Sequence, residues 1–509
     1  MTTIRPLPLG ARIPDRLHGV SCSLPTMRDV AGYEEKQAAV LSKITSGYPR
    51  FVVHPLLKQA AAVVLDDLAL AGAGLWLTAT DGVARQLLDH LARDFPASRL
   101  CGHAALSGVL VPPEANASAK LFLQNIGGFL SSRAAEDFLV ARGKLPSAEP
   151  ENLRFSDPAD APRALGFLRE QVAAHHGAAP EDVFIVSSGM NAVHTALRAA
   201  AAVQPAERRK WVQLGWLYLD TITLLKSRHG RGPGDYLPCH EVRDPAAVEK
   251  LLDDNPGAVA GVFAEIPTNP LIQTPELARL SRLCRGRGAL LVTDSTVVSP
   301  LNVNALPFSD IAVQSLTKYA AAEGDVMLGA VVINPGAPRA EELRRVVAEL
   351  AEPPYWRDAA RLAAQIADMP AHIETVNNNT RRIVEFLSRH PLVERIWWSG
   401  QPDGGSGGHY AAIARGPSAV GGMLSFTLSD KLPLDKFIDG IRLAKGSSFG
   451  MKTTLISAFI YLAHYDLVTT EAGRRQLAAA GIPPELVRLC VGAEDAGEII
   501  AALDEALVV

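Results

Sequence analysis

The chain has little of what marks several protein classes. Its 509 residues include five cysteines, Cys22, Cys101, Cys239, Cys284 and Cys490, odd in number, scattered and without a C-x-x-C pair. That excludes a disulfide framework and a zinc site of paired cysteines, and it predicts a reduced, cytoplasmic protein with no metal. Aromatic residues make up 6% of the chain and the net charge is only −4, so no basic surface marks out nucleic acid or an anionic membrane as a partner. No apolar run approaches the length of a bilayer crossing. The opening residues, with prolines and charges among them, lack the unbroken apolar core of a signal peptide. What remains, 48% hydrophobic and 20% charged residues, fits a globular enzyme with a large core.

Residues 1–150 read as a mixed, largely helical extension, with loops at Pro112-Pro113 and at 143–150. From about 180 to 335, short apolar runs alternate with segments of helical spacing. Val183–Val186 precedes a helix from Asn191, and Val259–Ala264 precedes Leu277–Cys284. Further runs follow at Ala289–Thr293, Asp310–Gln314 and Val326–Ile333. Such alternation predicts an α/β fold with a mostly parallel sheet flanked by helices. A helix over 341–350 and a long or kinked one over 359–387 come next. The glycine-rich 404–408 reads as a flexible loop, since no Lys-Ser/Thr follows to make a phosphate loop. Met423–Thr427 then opens a smaller unit. The division predicted is an N-terminal extension (1–150), a large α/β domain (151–390) and a small C-terminal α+β domain (391–509).

The chemistry concentrates at Ser315-Leu316-Thr317-Lys318. Two hydroxyls and an amine follow an apolar strand, where partial desolvation makes a lysine nucleophilic. Small residues (Ala320–Ala322, Gly324) let the backbone pack close to a ligand. Ser187-Ser188-Gly189-Met190 sits between a strand and a helix N-terminus, a ready site for a dianion. Taken alone it is better read as helix capping; joined to Ser315 and Thr317 it reads as a phosphate site. Asp294 ends a buried strand, where a carboxylate needs a partner, and a protonated pyridine nitrogen is one. Together these residues point to pyridoxal 5′-phosphate, with Lys318 as its covalent anchor and Asp294 under its ring nitrogen. Tyr218 is an aromatic candidate for stacking on the ring, although alone it reads as core. Arg488, in an alternating apolar run, suits a bidentate grip on an α-carboxylate, with a structural salt bridge equally open.

At these residues the chain resembles the Cys/Met-metabolism family of fold-type I pyridoxal-phosphate enzymes. Glu265-Ile-Pro-Thr-Asn-Pro270 is similar to the family's E-x-P-T-N-P. Asp294–Pro300, Ser315–Lys318, Gly329 and the carboxylate-binding segment Leu486–Asp495 follow in the family's order. Within the family the likeness is strongest to fungal-type cystathionine γ-synthases, through Ser23–Thr26, Gly47–Phe51, Tyr218–Thr221, Ala444–Gly446 and Ala463–Tyr465.

The resemblance implies cofactor-binding roles for Ser188, Gly189, Met190, Tyr218, Asn269, Asp294, Ser315, Thr317 and Lys318, with Asn269 at the 3-oxygen. It also implies substrate binding by Arg488 and Ser448, and catalysis by Lys318, Tyr218 and Asp294. A family Tyr-x-Arg, brought to the phosphate by a neighbouring subunit, is missing from the expected region, which reads Arg154-Phe155-Ser156-Asp157. Arg154 and Arg163 are the nearby substitutes, and Tyr48-x-Arg50 has the spacing at another place.

The activity implied is γ-replacement on an activated homoserine ester with cysteine, giving cystathionine in transsulfuration and methionine biosynthesis, by a homodimer or homotetramer. Sulfhydrylation of the same ester, cystathionine lysis, or a catalytically silent relative with a binding role are the alternatives.

Overall fold

The computed structural model describes every residue except 1–3, 47–51, 71, 230–232, 402–405 and 509. The Gly47–Phe51 motif, with Tyr48 and Arg50, therefore lies outside the described residues, as do Gly404 and Gly405. The rest of that glycine-rich stretch is not loop: Ser406–Ala411 forms a short helix.

The centre is a seven-stranded sheet in the order Val183–Val186, Gly329–Ile333, Ile311–Ser315, Leu290–Asp294, Val259–Glu265, Lys210–Leu214 and Tyr236–Cys239. Only Gly329–Ile333 runs against the rest, so the sheet is mixed but mostly parallel. Helices cover both faces, which is why strands such as Val259–Glu265 are buried along their whole length rather than alternately. The period-2 geometry of a strand then divides each one between two cores. Ile185, Leu291, Ala312 and Val332 join one, with helices Ala161–His176, Leu277–Gly286 and Met369–Arg389. Val186, Val292, Val313 and Val331 join the other, with helix Gly189–Val203.

The second core also takes in the N-terminal segment. Leu57, Leu87, Leu123 and Leu139 pack into it, so this segment is folded onto one face of the central sheet. It carries a three-stranded antiparallel sheet, with Leu106–Val111 between Gly74–Thr78 and Arg99–His103. A mainly helical reading missed these strands, because glycine and polar residues interrupt their apolar pattern. Helix Asn116–Ile126 ends at Gly127, which adopts φ +65°, and a Cβ there would fall 2.0 Å from Ser188 Oγ. Glycine is thus required twice over, by conformation and by close approach.

The C-terminal part holds a five-stranded sheet in the order Val393–Trp397, Met423–Leu428, Val487–Cys490, Leu455–Ala458 and Ala444–Lys445. The long helix before it is interrupted: Trp356–Ala363 is followed by a short 3₁₀ turn and then Met369–Arg389, with Pro370 in its first turn, where a missing N–H costs nothing.

Candidate active site

Parallel strands end on a common edge, and the loops leaving that edge are where α/β folds gather functional groups. Five strands do so here. Val183–Val186 leads to Ser188–Met190, Lys210–Leu214 to Tyr218, Val259–Glu265 to Asn269, Leu290–Asp294 ends on Asp294, and Ile311–Ser315 leads to Thr317 and Lys318. With Ser448 and Arg488 from the C-terminal part, all of these line one cavity of about 390 Å³. The residues assigned from the sequence to cofactor, substrate and catalysis are therefore brought together.

Lys318 is 6% exposed. Its Nζ donates to Ser448 Oγ at 3.0 Å and lies 4.8 Å from the centre of the Phe449 ring. Ser448 also accepts from Arg488 Nη2 through its carbonyl oxygen at 3.3 Å, so one residue spaces the amine from the guanidinium. It does this at φ +88°, a left-handed conformation that a serine holds only when its surroundings enforce it. The residues just before it are tied to the N-terminal segment. Ser21 Oγ donates to Ser447 O at 2.6 Å, and Leu24 N to Lys445 O at 2.9 Å.

Arg488 sits in strand Val487–Cys490, 5% exposed. Its other contacts include Asn269 Oδ1, at 3.3 Å from Nη1, and the rings of Phe459 and Phe449, centred 4.2 Å and 6.0 Å from the guanidinium. Nε has no hydrogen-bond acceptor, and no carboxylate pairs with the guanidinium among the described residues. The ordinary salt bridge, which the sequence left open, is not what holds it. A buried cation without an anion is costly and favours an anionic ligand.

Asp294 opens on the cavity. Burial lifts its carboxyl from 3.8 to about 6, against the hydrogen bond from Thr296 N at 2.8 Å and the Lys318 charge. The helix after Val186 starts at Gly189 rather than Asn191. Ser188 Oγ serves as its cap, accepting from Asn191 N at 3.1 Å and donating to Gly127 O at 3.0 Å. The capping role is thus real for the Ser188 hydroxyl. Gly189 and Met190, in the first turn, keep N–H groups that no helical carbonyl can reach. A Cβ on Gly189 would fall 2.7 Å from Ser315 Oγ, so this helix end and the Ser315 loop converge as only glycine allows.

One residue escaped the sequence reading. Glu265, buried and lining the cavity, accepts from Tyr218 N at 2.5 Å and from Asn269 N at 3.3 Å. It ties the loop bearing the aromatic candidate to the loop bearing the amide. In the sheet it pairs with Asp294, and burial, then that neighbour, push its carboxyl well up. Its place at the head of Glu265–Pro270 was the available signal. Arg154 and Arg163 do not line the cavity: Arg154 lies 4.1 Å from the Phe167 ring and Arg163 pairs with Asp160.

These groups fit a phosphorylated pyridine aldehyde. First-turn N–H groups and the Ser315 and Thr317 hydroxyls could take its phosphate, the Asp294 carboxylate its ring nitrogen, and the buried Lys318 stands beside them.

Comparison with known proteins agrees. Residues 163–508 match the family model of Cys/Met metabolism PLP-dependent enzymes. The chain is 35% identical over 494 residues to the L-2-amino-4-chloropent-4-enoate dechlorinase/desaturase of Streptantibioticus cattleyicolor, covering 96% of each chain. It is 28% identical to the cystathionine γ-synthase of Neurospora crassa, over 99% of this chain and 98% of that one. Among solved structures it is similar to the cystathionine γ-synthase of Xanthomonas oryzae pv. oryzae in complex with cystathionine. That likeness has a TM-score of 0.59 at 26% identity, over 70% of this chain and 89% of that chain.

Proposed function

The chain belongs to the Cys/Met metabolism PLP-dependent enzymes, and from that premise we propose that it catalyses γ-replacement on an activated homoserine ester, with cysteine as the thiol and cystathionine as product. The observation that carries this reading is the Lys318–Ser448–Arg488 arrangement. It places an amine and a carboxylate-seeking guanidinium on either side of one residue, as an α-amino acid requires. The cystathionine γ-synthase of N. crassa, similar over nearly the whole chain, supports the choice of reaction.

Gly189, Met190, Ser315 and Thr317 would hold the cofactor's phosphate, Asp294 its ring nitrogen, Asn269 its 3-oxygen and Tyr218 one face of its ring. Bound there, pyridoxal phosphate supplies an electron sink for the pair left at Cα when a proton departs. Lys318 Nζ is the base that takes that proton and moves protons between Cα and Cβ, and Ser448 Oγ orients it. Arg488 grips the α-carboxylate and so fixes which Cα bond faces the lysine. The ester oxygen leaves Cγ with its acyl or phosphoryl group. The cysteine sulfur bonds to the same carbon, and its proton balances the released acid. Glu265 keeps Tyr218 and Asn269 in register throughout.

The test is mass spectrometry of products from O-acetyl-, O-succinyl- and O-phosphohomoserine, each with and without cysteine. Cystathionine formed only with cysteine is expected. Its absence in protein shown to hold the cofactor would overturn the reading.

A second reading is elimination of a γ-substituent without a thiol. It is favoured by the 35% identity to a relative named as a dechlorinase/desaturase, and it uses the same lysine. In that case a keto acid or unsaturated amino acid appears whether or not cysteine is present.

A further inference from the structure

The family match begins at residue 163, yet part of the active-site cavity is walled by residues before it. Lys36 follows helix Met27–Glu34, and Lys120 and Gln124 stand one turn apart on helix Asn116–Ile126, so they share a face. All three line the cavity. Gln124 anchors its helix to the site, donating from Nε2 to Asp220 Oδ1 at 3.2 Å, two residues beyond Tyr218. Lys120 is half-buried, and burial first, then the charges of Lys36 and Lys58, hold its amine below the ordinary lysine range.

Among the described residues no carboxylate forms an ion pair with Lys120. Lys36 is exposed, and its Nζ lies 3.9 Å from Glu34 Oε2, 3.3 Å from Tyr33 O and 4.9 Å from the Tyr33 ring centre. Two cations thus stand on this side of the cavity against one partly engaged carboxylate, in a chain whose net charge is −4. Arg488, elsewhere in the same cavity, is already suited to one anion.

We propose that Lys36 and Lys120 select an amino acid whose side chain ends in a second anion, a phosphate or a carboxylate, while Arg488 takes the α-carboxylate. This rests on the amino-acid reading above and adds the charge of the substrate's far end. It assigns that specificity to a segment outside the family match. Solvent-reached ion pairs are individually weak, so the two lysines together favour the anion by roughly five- to twentyfold.

The experiment is calorimetric titration of the holoenzyme with three unreactive amino acids: 2-amino-5-phosphonopentanoate, 2-aminoadipate and norleucine. Their side chains end in a phosphonate, a carboxylate and a methyl group. At low salt one or both anionic probes are expected to bind roughly five- to twentyfold tighter than norleucine, and the advantage shrinks as salt screens it. Whichever anion gains more separates a phosphate from a carboxylate substrate. A Lys36→Gln/Lys120→Gln double variant should lose the advantage and keep norleucine affinity within about twofold. Equal binding of all three probes, or an advantage that survives in the double variant, overturns the lysine assignment alone. If none of the three binds, the amino-acid reading falls, and this inference with it.

Discussion

Beside the N-terminal segment lies another cavity, of about 470 Å³, lined by His18, Arg133, Asp325 and Asp358 among others. Its buried charges are paired. Arg133 reaches Glu151 at 2.5 Å and Asp358 at 2.8 Å, Arg357 joins Glu136 and Glu151 at 2.8 Å each, and Arg361 meets Asp325 at 2.8 Å. Burial alone would raise the Glu151 carboxyl, but the Arg133 hydrogen bond and charge outweigh it and hold it at about 2. The active-site cavity is handled the other way. Arg488 is also buried, and among the described residues it meets an amide oxygen, a carbonyl oxygen and the Phe449 and Phe459 rings but no carboxylate. Paired buried charge belongs to the fold, whereas a buried charge without its counterion marks a candidate ligand contact.

Breaking a pair in the first cavity should cost the most. Arg133→Met leaves Glu151 and Asp358 buried against fewer cations, and about 3–5 kcal/mol of stability is expected to go, measured by denaturant unfolding. A loss under about 1 kcal/mol would mean that the network is not holding the segment.

Asp294 gives a smaller effect, with a sign set by pH. In the unfolded chain its carboxyl titrates near 3.8, and in the folded protein at about 6. The unfolded state therefore releases its proton first, and the cofactor-free protein loses stability as pH rises through that window. By pH 7 the loss is about 2–3 kcal/mol. Asp294→Asn should recover that amount at pH 7 and almost none at pH 3, in unfolding curves at the two pH values. Equal effects at both would show that Asp294 is not the strained carboxylate described.

Arg488→Leu acts on the unpaired charge of the active-site cavity. Removing a buried cation that has no anion should leave the stability of the cofactor-free protein unchanged or raise it, unlike Arg133→Met. The same change should weaken binding of an amino acid to the holoenzyme by roughly 10- to 100-fold, because a charge-assisted contact is lost. Large destabilisation with unchanged binding would make Arg488 a structural residue.

Much of this was legible in the chain itself. Apolar runs alternating with helical spacing outline four of the five strands that end on the site, with Ser315–Lys318 and Asp294 at their ends, but not Lys210–Leu214, the strand leading to Tyr218. Ser188 was only half legible, since one serine caps a helix in the same way whether or not a phosphate lies beyond it. The Arg133 network joins residues more than 200 positions apart, as in Arg133–Asp358 and Arg357–Glu136, and no local pattern encodes such pairs. The same holds for Lys36 and Lys120, which reach the cavity only because their segment folds over the sheet. The segment before Ser448 is likewise held by residues distant in sequence, Ser21 bonding Ser447 O and Leu24 bonding Lys445 O.

If Lys318 is the amine that anchors the cofactor, a covalent label must fall on it. The direct measurement is to incubate the protein with pyridoxal phosphate, reduce it with borohydride and map the modified peptides by mass spectrometry. A pyridoxyl group is expected on the peptide containing Lys318 and none on that site in Lys318→Ala, with the variant's unfolding curve close to that of the parent. Label spread over surface lysines such as Lys250 or Lys436, with the Lys318 peptide unmodified, would contradict it.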